Sequence, residues 1–307
     1  MKNNKGFTMI ELLVAMAISA MAMAAIYTAY NIQQKTFRQQ NMISQMQQNA
    51  RAAMFMLTRD VRMAGFGLAS GQISYYDGSD TVTINAVTGT NSNPDSINII
   101  YADSSCTTFI TSAMPTPSSE LNVDDTSCFA VDDLIVVSDG TNADIIQITT
   151  VQPVAKKIQH NPSSPVNSPS GMSNAYGAGA LMYKLKWISY DIGSSDSAHP
   201  RLRVDTDGPL GGSSFQPFAE NIEDLQIVYI FEDEDELNMY DDGTDADDTN
   251  DADDIRSVRV SVLARTDTID INFSGNRPAL EDHGAGSADK YRRRLLTSTI
   301  KIRNLGL

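Results

Sequence analysis

Residues 1–30 read MKNNKG-FTMIELLVAMAISAMAMAAIYTAY. A short basic head carrying Lys2 and Lys5 ends at Gly6, and an apolar run extends from Phe7 to Tyr30. About 20 apolar residues at ~1.5 Å each cover the ~30 Å hydrocarbon core of a bilayer, so this run is long enough to cross one. Leu12 to Tyr30 contains no charge, whereas Glu11 stands just inside the run. A charge near hydrocarbon costs about 2.5–3.5 kcal/mol on insertion scales. The physical problem posed by the stretch is therefore what Glu11 is for.

Two readings follow from the residues alone. In the first, the stretch is a secretory signal peptide, with a small-residue cleavage site at Ala20-Met21-Ala22 or Ala22-Met23-Ala24. In the second it is a plain anchor. Thr8-Met9-Ile10-Glu11 has the spacing of a capping box, in which Glu11 satisfies free N–H groups and faces the positive end of the helix dipole.

Outward from this run the helical pattern continues, with no Gly or Pro between Phe7 and Ala64. Such a helix would be roughly 87 Å long. Beyond Asn31 polar residues enter, and Ile43, Met46, Ala50, Ala53, Leu57, Val61 and Ala64 recur at helical spacing. One stripe for packing and one wet face are expected, so the helix begins in lipid and ends on a soluble domain. Gly65 and Gly67 supply its stop. The frequent methionines read as adaptable packing. Arg51, Arg59 and Arg62 are read either as a solvated face or as partners for acidic groups of the same or a neighbouring subunit.

The chain has 307 residues, and about 240 remain after the helix, enough for one large core or two small ones. Short segments rich in Val, Ile, Thr and Tyr predict strands at 81–87, 96–101, 134–138, 144–151, 181–190, 201–205, 222–231, 255–264 and 292–303. No helical pattern separates them, so pairing is expected to be mainly antiparallel. The expected fold class is α+β, a long N-terminal helix packed on a β-rich head. The segments 88–94 and 152–179 read as loops. The second, with four prolines and three glycines, reads as a mobile excursion or hinge setting off a subdomain over 69–153.

The net charge of −15 argues against a broad nucleic-acid-binding surface. Residues 232–254 hold 13 carboxylates and no Lys or Arg, and without those charges the balance falls to −2. Clustered aspartates are hard oxygen ligands suited to Ca²⁺. Asp241, Asp245, Asp247, Asp251 and Asp253 are the candidates, although the spacing departs from the known loop: Asn250 replaces its glycine and no Glu closes it. The alternative is a solvated, self-repelling loop, and no other cofactor is expected. His160, His199 and His283 share no metal-ligand spacing, and nucleophile-elbow, phosphate-loop and zincin motifs are absent, so no enzyme is expected. Cys106 and Cys128 would be free thiols in a cytosolic chain and candidates for one disulfide in a periplasmic one, worth ~3 kcal/mol.

The string Gly6-Phe7-Thr8-Met9-Ile10-Glu11-Leu12-Leu13-Val14 resembles the processing site of type IV prepilins and type II secretion pseudopilins. The segment from Gln48 to Gly67 is similar to that of PilW-type minor pilins. So are Phe218–Tyr229, with its Glu220-Asn221-Ile222-Glu223-Asp224-Leu225-Gln226 core, Ile255–Arg265 and Tyr291–Asn304. The resemblance covers the two ends of the chain and hardly touches its middle. It implies cleavage between Gly6 and Phe7 by a prepilin peptidase, methylation of the new Phe7 amine, and retention of the apolar run. Glu11 would then dock against the terminal amine of a neighbouring subunit, which gives the carboxylate a purpose in lipid. The chain departs from major pilins, which often carry a helix breaker in the membrane-proximal half. The expected organisation is a leader over 1–6, a helix over 7–64 spanning the membrane at 7–30, and a pilin-like head over 65–307.

The expected function is a minor pilin, single-pass in the inner membrane with a periplasmic head, entering a type IV pilus or its tip beside other pilins. Lys35 and Arg38 follow the span while Lys2 and Lys5 precede it, so the charge bias is weak and this orientation rests on the resemblance. The alternative is a J-type pseudopilin, and an adhesin head is a third view without an aromatic-lined ligand motif behind it.

Overall fold

The computed structural model describes residues 7–68, 72–193, 198–208, 214–240, 250–252 and 254–304. Helix α1 spans Met9–Met63 without interruption, 55 residues or roughly 82 Å. It ends where expected. Ala64 leaves helical geometry, and Gly65 and Gly67 take φ of 77° and 73°. A Cβ on Gly67 would lie 2.5 Å from that of Ala102, so both the backbone angle and the close approach require glycine.

The head runs through β1 (Gln72–Tyr76), β2 (Thr81–Asn85), β3 (Val87–Thr90), β4 (Ser96–Phe109), β5 (Leu121–Asn122) and β6 (Leu134–Ser138). It continues through β7 (Ala143–Gln147), β8 (Thr150–Gln152), β9 (Lys157–Gln159), β10 (Leu181–Gly193), β11 (Arg201–Asp205) and β12 (Gln216–Glu220). It closes with β13 (Ile222–Phe231), β14 (Glu236–Leu237), β15 (Ile255–Arg265), β16 (Gly275–Asn276), β17 (Ala288–Asp289) and β18 (Arg293–Lys301).

Two sheets dominate. The larger has the order β12-β11-β10-β6-β7-β1-β2, with β4 also on β10 and β3 on β4. The smaller is β14-β13-β15-β18 and is wholly antiparallel. Among the described strands of the larger sheet, β1 with β7 is the one parallel pairing. Strand β10 is the hinge pin: its first residues lie between β4 and β6, its last between β4 and β11. Strands from within 69–153 thus share a sheet with β10–β12, and the break between sheets falls at Asn221.

The strands predicted at 134–138, 201–205 and 222–231 are found with those bounds, those at 81–87 and 144–151 each break into two strands, and the rest shift at their ends. Strand β4 runs on to Phe109, eight residues past the predicted end, because β10 pairs with it again at Thr107–Phe109 after a bulge at Ser104–Cys106. The 88–94 segment begins as strand β3 rather than loop, paired to β4. The 152–179 segment, read as a loop, contains the end of β8 and strand β9, paired to β5 and β8, and lies on the fold rather than away from it. Val166, Asn167, Met172 and Tyr176 are buried. Asn167 imitates a neighbouring strand: its side-chain oxygen accepts from Gln147 N and its amide donates to Gln147 O, both at 2.8 Å. The buried Asp144 accepts from Ser173 N, Ser173 Oγ and the Tyr176 hydroxyl at 2.9, 2.8 and 2.7 Å.

Three apolar clusters fill the interior. The first joins the far half of α1 (Met46, Ala50, Ala53, Leu57, Val61, Ala64) to the inner faces of β13, β15 and β18 and to the ends of β4 and β10. The others line opposite faces of β6. Ile135 and Val137 face one containing Cys106, whereas Leu134 and Val136 face one containing Trp187, which explains why β6 is buried on both sides. Cys106 and Cys128 form a disulfide closing a separation of 22 residues. Replacing both with Ala is expected to lower the unfolding free energy of the head by about 3 kcal/mol, read as a drop in the urea midpoint.

Candidate assembly surface: the helix and its junction with the head

From Phe7 to Tyr30 every side chain of the helical run is exposed, including Phe7, Leu13, Ile18 and Ile26. This is the one helix among the described residues that is long and apolar enough to cross a membrane. At its start the capping box is formed. Thr8 N and Thr8 Oγ1 donate to Glu11 Oε2 at 2.8 and 2.9 Å, and Glu11 N donates to Thr8 Oγ1 at 3.3 Å. In the isolated chain Glu11 therefore already has local partners. Gly6 lies outside the described residues, as do Asp241, Asp245, Asp247 and Asp253. Asp251 is described and sits in the turn before β15, where Asp254 N donates to its carbonyl.

Contact between helix and head begins at Gln39, whose amide donates to Asp270 Oδ2 at 2.6 Å. It ends at Met63 and Ala64, whose carbonyls accept from Asn304 Nδ2. Between these points the buried residues fall on the predicted stripe, with one addition. Asp60 is fully buried on the apolar side. Its Oδ2 accepts from the Tyr190 hydroxyl at 2.5 Å, and its Oδ1 from the Tyr101 hydroxyl at 3.2 Å and Arg59 Nε at 2.8 Å. A carboxylate in the last turn faces the negative end of the helix dipole, so these donors must hold it. Burial, reinforced by Asp60, pushes both tyrosines up, Tyr101 to about 12. One carboxylate on α1 thereby ties the helix to β4 and β10.

Of the three arginines, Arg59 pairs with its neighbour Asp60, whereas Arg51 and Arg62 make no ion pair among the described residues. The histidines lie apart as expected. His160 meets the Ser119 carbonyl, His199 stands 3.9 Å from Asp267, and His283 Nδ1 lies 2.8 Å from Asp224.

A second buried polar group escaped the sequence reading. Asp95, 2% exposed, accepts from Ser92 N at 2.8 Å and Ile227 N at 2.7 Å, and its own N–H donates to Leu225 O. It hooks the β3–β4 turn onto β13. Burial, with Asp282 and Asp224 nearby, lifts its carboxyl to about 6. Because the folded value lies above the ordinary 3.8, the folded state holds this proton where the unfolded chain has lost it. The contribution is full below pH 3.8 and is lost as pH rises through about 6. Asp95→Asn is therefore expected to gain in urea midpoint relative to the parent on going from pH 5 to pH 7.

The family model for the type IV pilus-assembly protein W matches residues 189–304, which span β10 to the end of β18 and include Tyr190. The prokaryotic N-terminal methylation motif matches residues 1–27. No curated protein sequence matches the chain. A solved structure of a type IV-like pilin from Thermus thermophilus aligns with 87% of this chain and 98% of that chain, at 8% identity and a TM-score of 0.35. With the methylation motif at the head of an exposed apolar helix and the PilW match over strands that grip its other half, the chain is similar, over its first 27 residues and its last third, to type IV pilin-like proteins of PilW type.

Proposed function

We propose that the chain is a minor pilin, held in the inner membrane by Phe7–Tyr30 until that run packs beside the helices of other pilins in a filament or its tip. The observation that carries this reading is the division of α1, whose first half is apolar and uncovered while its second half is built into the head. A soluble protein has no use for an unpartnered apolar rod; a bilayer and a bundle of like helices are the two environments that accept it. Processing after Gly6 and methylation of Phe7 agree with the match over residues 1–27. After that cut Glu11 would exchange its Thr8 contacts for the terminal amine of a neighbour. The role is structural rather than catalytic, and the disulfide fits a periplasmic head.

The mass of the N-terminal peptide of protein purified from membranes tests this reading. A methylated Phe7 terminus is expected. A terminus near residue 23 or 25 would mean that a signal peptidase had removed the rod, and the proposal would fail. Loss of surface filaments in a deletion strain is the expected phenotype, and loss of secretion with filaments intact would assign the chain to a secretion machine instead.

A further inference from the structure

We propose that the outward face of α1 around Phe55 is a docking surface for the acidic β13–β14 hairpin of a second copy of this chain. At about 100° per residue, Arg51, Phe55, Arg59 and Arg62 fall within an arc of roughly 80°, opposite the stripe of Ala53, Leu57 and Val61 buried against the head. Phe55 is 69% exposed while Leu57, two residues on, is fully covered. A lone exposed Phe carries no message, but this one shares its helix face with Arg51, Arg59 and Arg62, and aromatic and arginine side chains together are what protein interfaces are enriched in.

The complement stands elsewhere on the same chain. Five consecutive exposed carboxylates, Glu232 to Glu236, make up the turn between β13 and β14 and the first residue of β14. Arg256 takes Glu232 and Arg259 takes Glu236. Asp233, Glu234 and Asp235 make no ion pair among the described residues. Leu237 and Met239 lie beside them, 40% and 37% exposed. One patch thus presents an aromatic knob among cations, the other apolar side chains among anions. Both are exposed, so they do not cover each other within one molecule. Their contact joins two molecules through different surfaces, and a heterologous contact of this kind repeats into an open helical chain unless its rotation closes. The surface is separate from the apolar run and from Glu11, so its failure would leave the reading of the N-terminus untouched.

The test uses the full chain in detergent micelles. With both native cysteines already bonded to each other, Ala52→Cys beside Phe55, together with Asn238→Cys beside Leu237, is expected to give, on mild oxidation, a ladder of dimers, trimers and longer species. Either substitution alone is expected to stay monomeric. Arg51→Glu with Arg62→Glu is expected to cut the ladder about tenfold, and adding Asp233→Lys with Asp235→Lys to restore it. Thermal unfolding of each variant reports whether it is folded. Ladder formation by the parent pair is also expected to weaken as salt rises from about 0.05 to about 0.5 M. The proposal is overturned if the double-cysteine protein stays monomeric, if Ala52→Cys alone cross-links as well, if salt and charge reversal have no effect, or if cross-linking requires a different pilin.

Discussion

Replacing Asp60 with Ala is expected to destabilise the junction of helix and head by about 3–5 kcal/mol. Hydrogen bonds to a charged acceptor contribute about 1.5–3 kcal/mol each, and two tyrosine hydroxyls donate to this fully buried carboxylate. Removing it strands both donors. Tyr190 is the more affected, being 1% exposed with no other acceptor among the described residues, while the half-exposed Arg59 can turn to solvent. The loss should appear as a fall of about 10 °C in thermal midpoint. Asp60→Asn, which keeps an acceptor oxygen, should lose roughly half as much, whereas Tyr190→Phe together with Asp60→Leu should recover much of the deficit by removing both sides of the polar contact. Equal losses for Ala and Asn would show that geometry rather than acceptance matters here.

Glu11→Ala is expected to separate the two things a carboxylate can do at that position. As a cap it serves its own helix through Thr8, and losing a cap costs about 0.5–2 kcal/mol, confined to a terminus that is exposed. The head, which begins its contacts only at Gln39, should therefore unfold as before. As a docking group in lipid it would pair with a neighbour's amine, and an unanswered buried charge costs about 3–5 kcal/mol, or at least a hundredfold in incorporation. Filaments purified from cells carrying the variant should then contain about a hundredfold less of it while its level in membranes is unchanged. If the variant enters filaments as the parent does, the cap is the whole role of Glu11.

How much of this was legible beforehand differs along the chain. The helix was readable to within two residues at either end, because its signals are local: a capping box, an unbroken run, a stripe at helical spacing and two glycines. The same periodicity that marked Leu57, Val61 and Ala64 also places Asp60 on their side, yet a carboxylate among apolar positions gives no sign of its partners, which lie far along the chain at Tyr101 and Tyr190. Strand existence was legible from β-branched runs, while strand length was not. The end of β4 depends on β10, some 80 residues later, and Ser104 to Thr107 carry no β pattern of their own. The segment around Asn167 looked like a free loop since its Pro and Gly are turn formers, but its fate was decided by Asn167 and by Asp144, polar residues that fasten loops as readily as they mark them. The outward Phe55 escaped notice for the opposite reason: in a list of apolar residues an uncovered one looks like any other.

The terminal strand lies lengthwise against the rod. Asn304 meets Met63 and Ala64 at one end, and Arg292, just ahead of β18, shares Asp270 with Gln39 at the other. A pull on the N-terminal end of α1 would therefore load β15 and β18 along their length. Their hydrogen bonds and the interlocked side chains must then give way all at once, in shear, instead of unzipping one by one. Were the chain held in a filament by its apolar run, as proposed, this arrangement would resist traction applied through the helix.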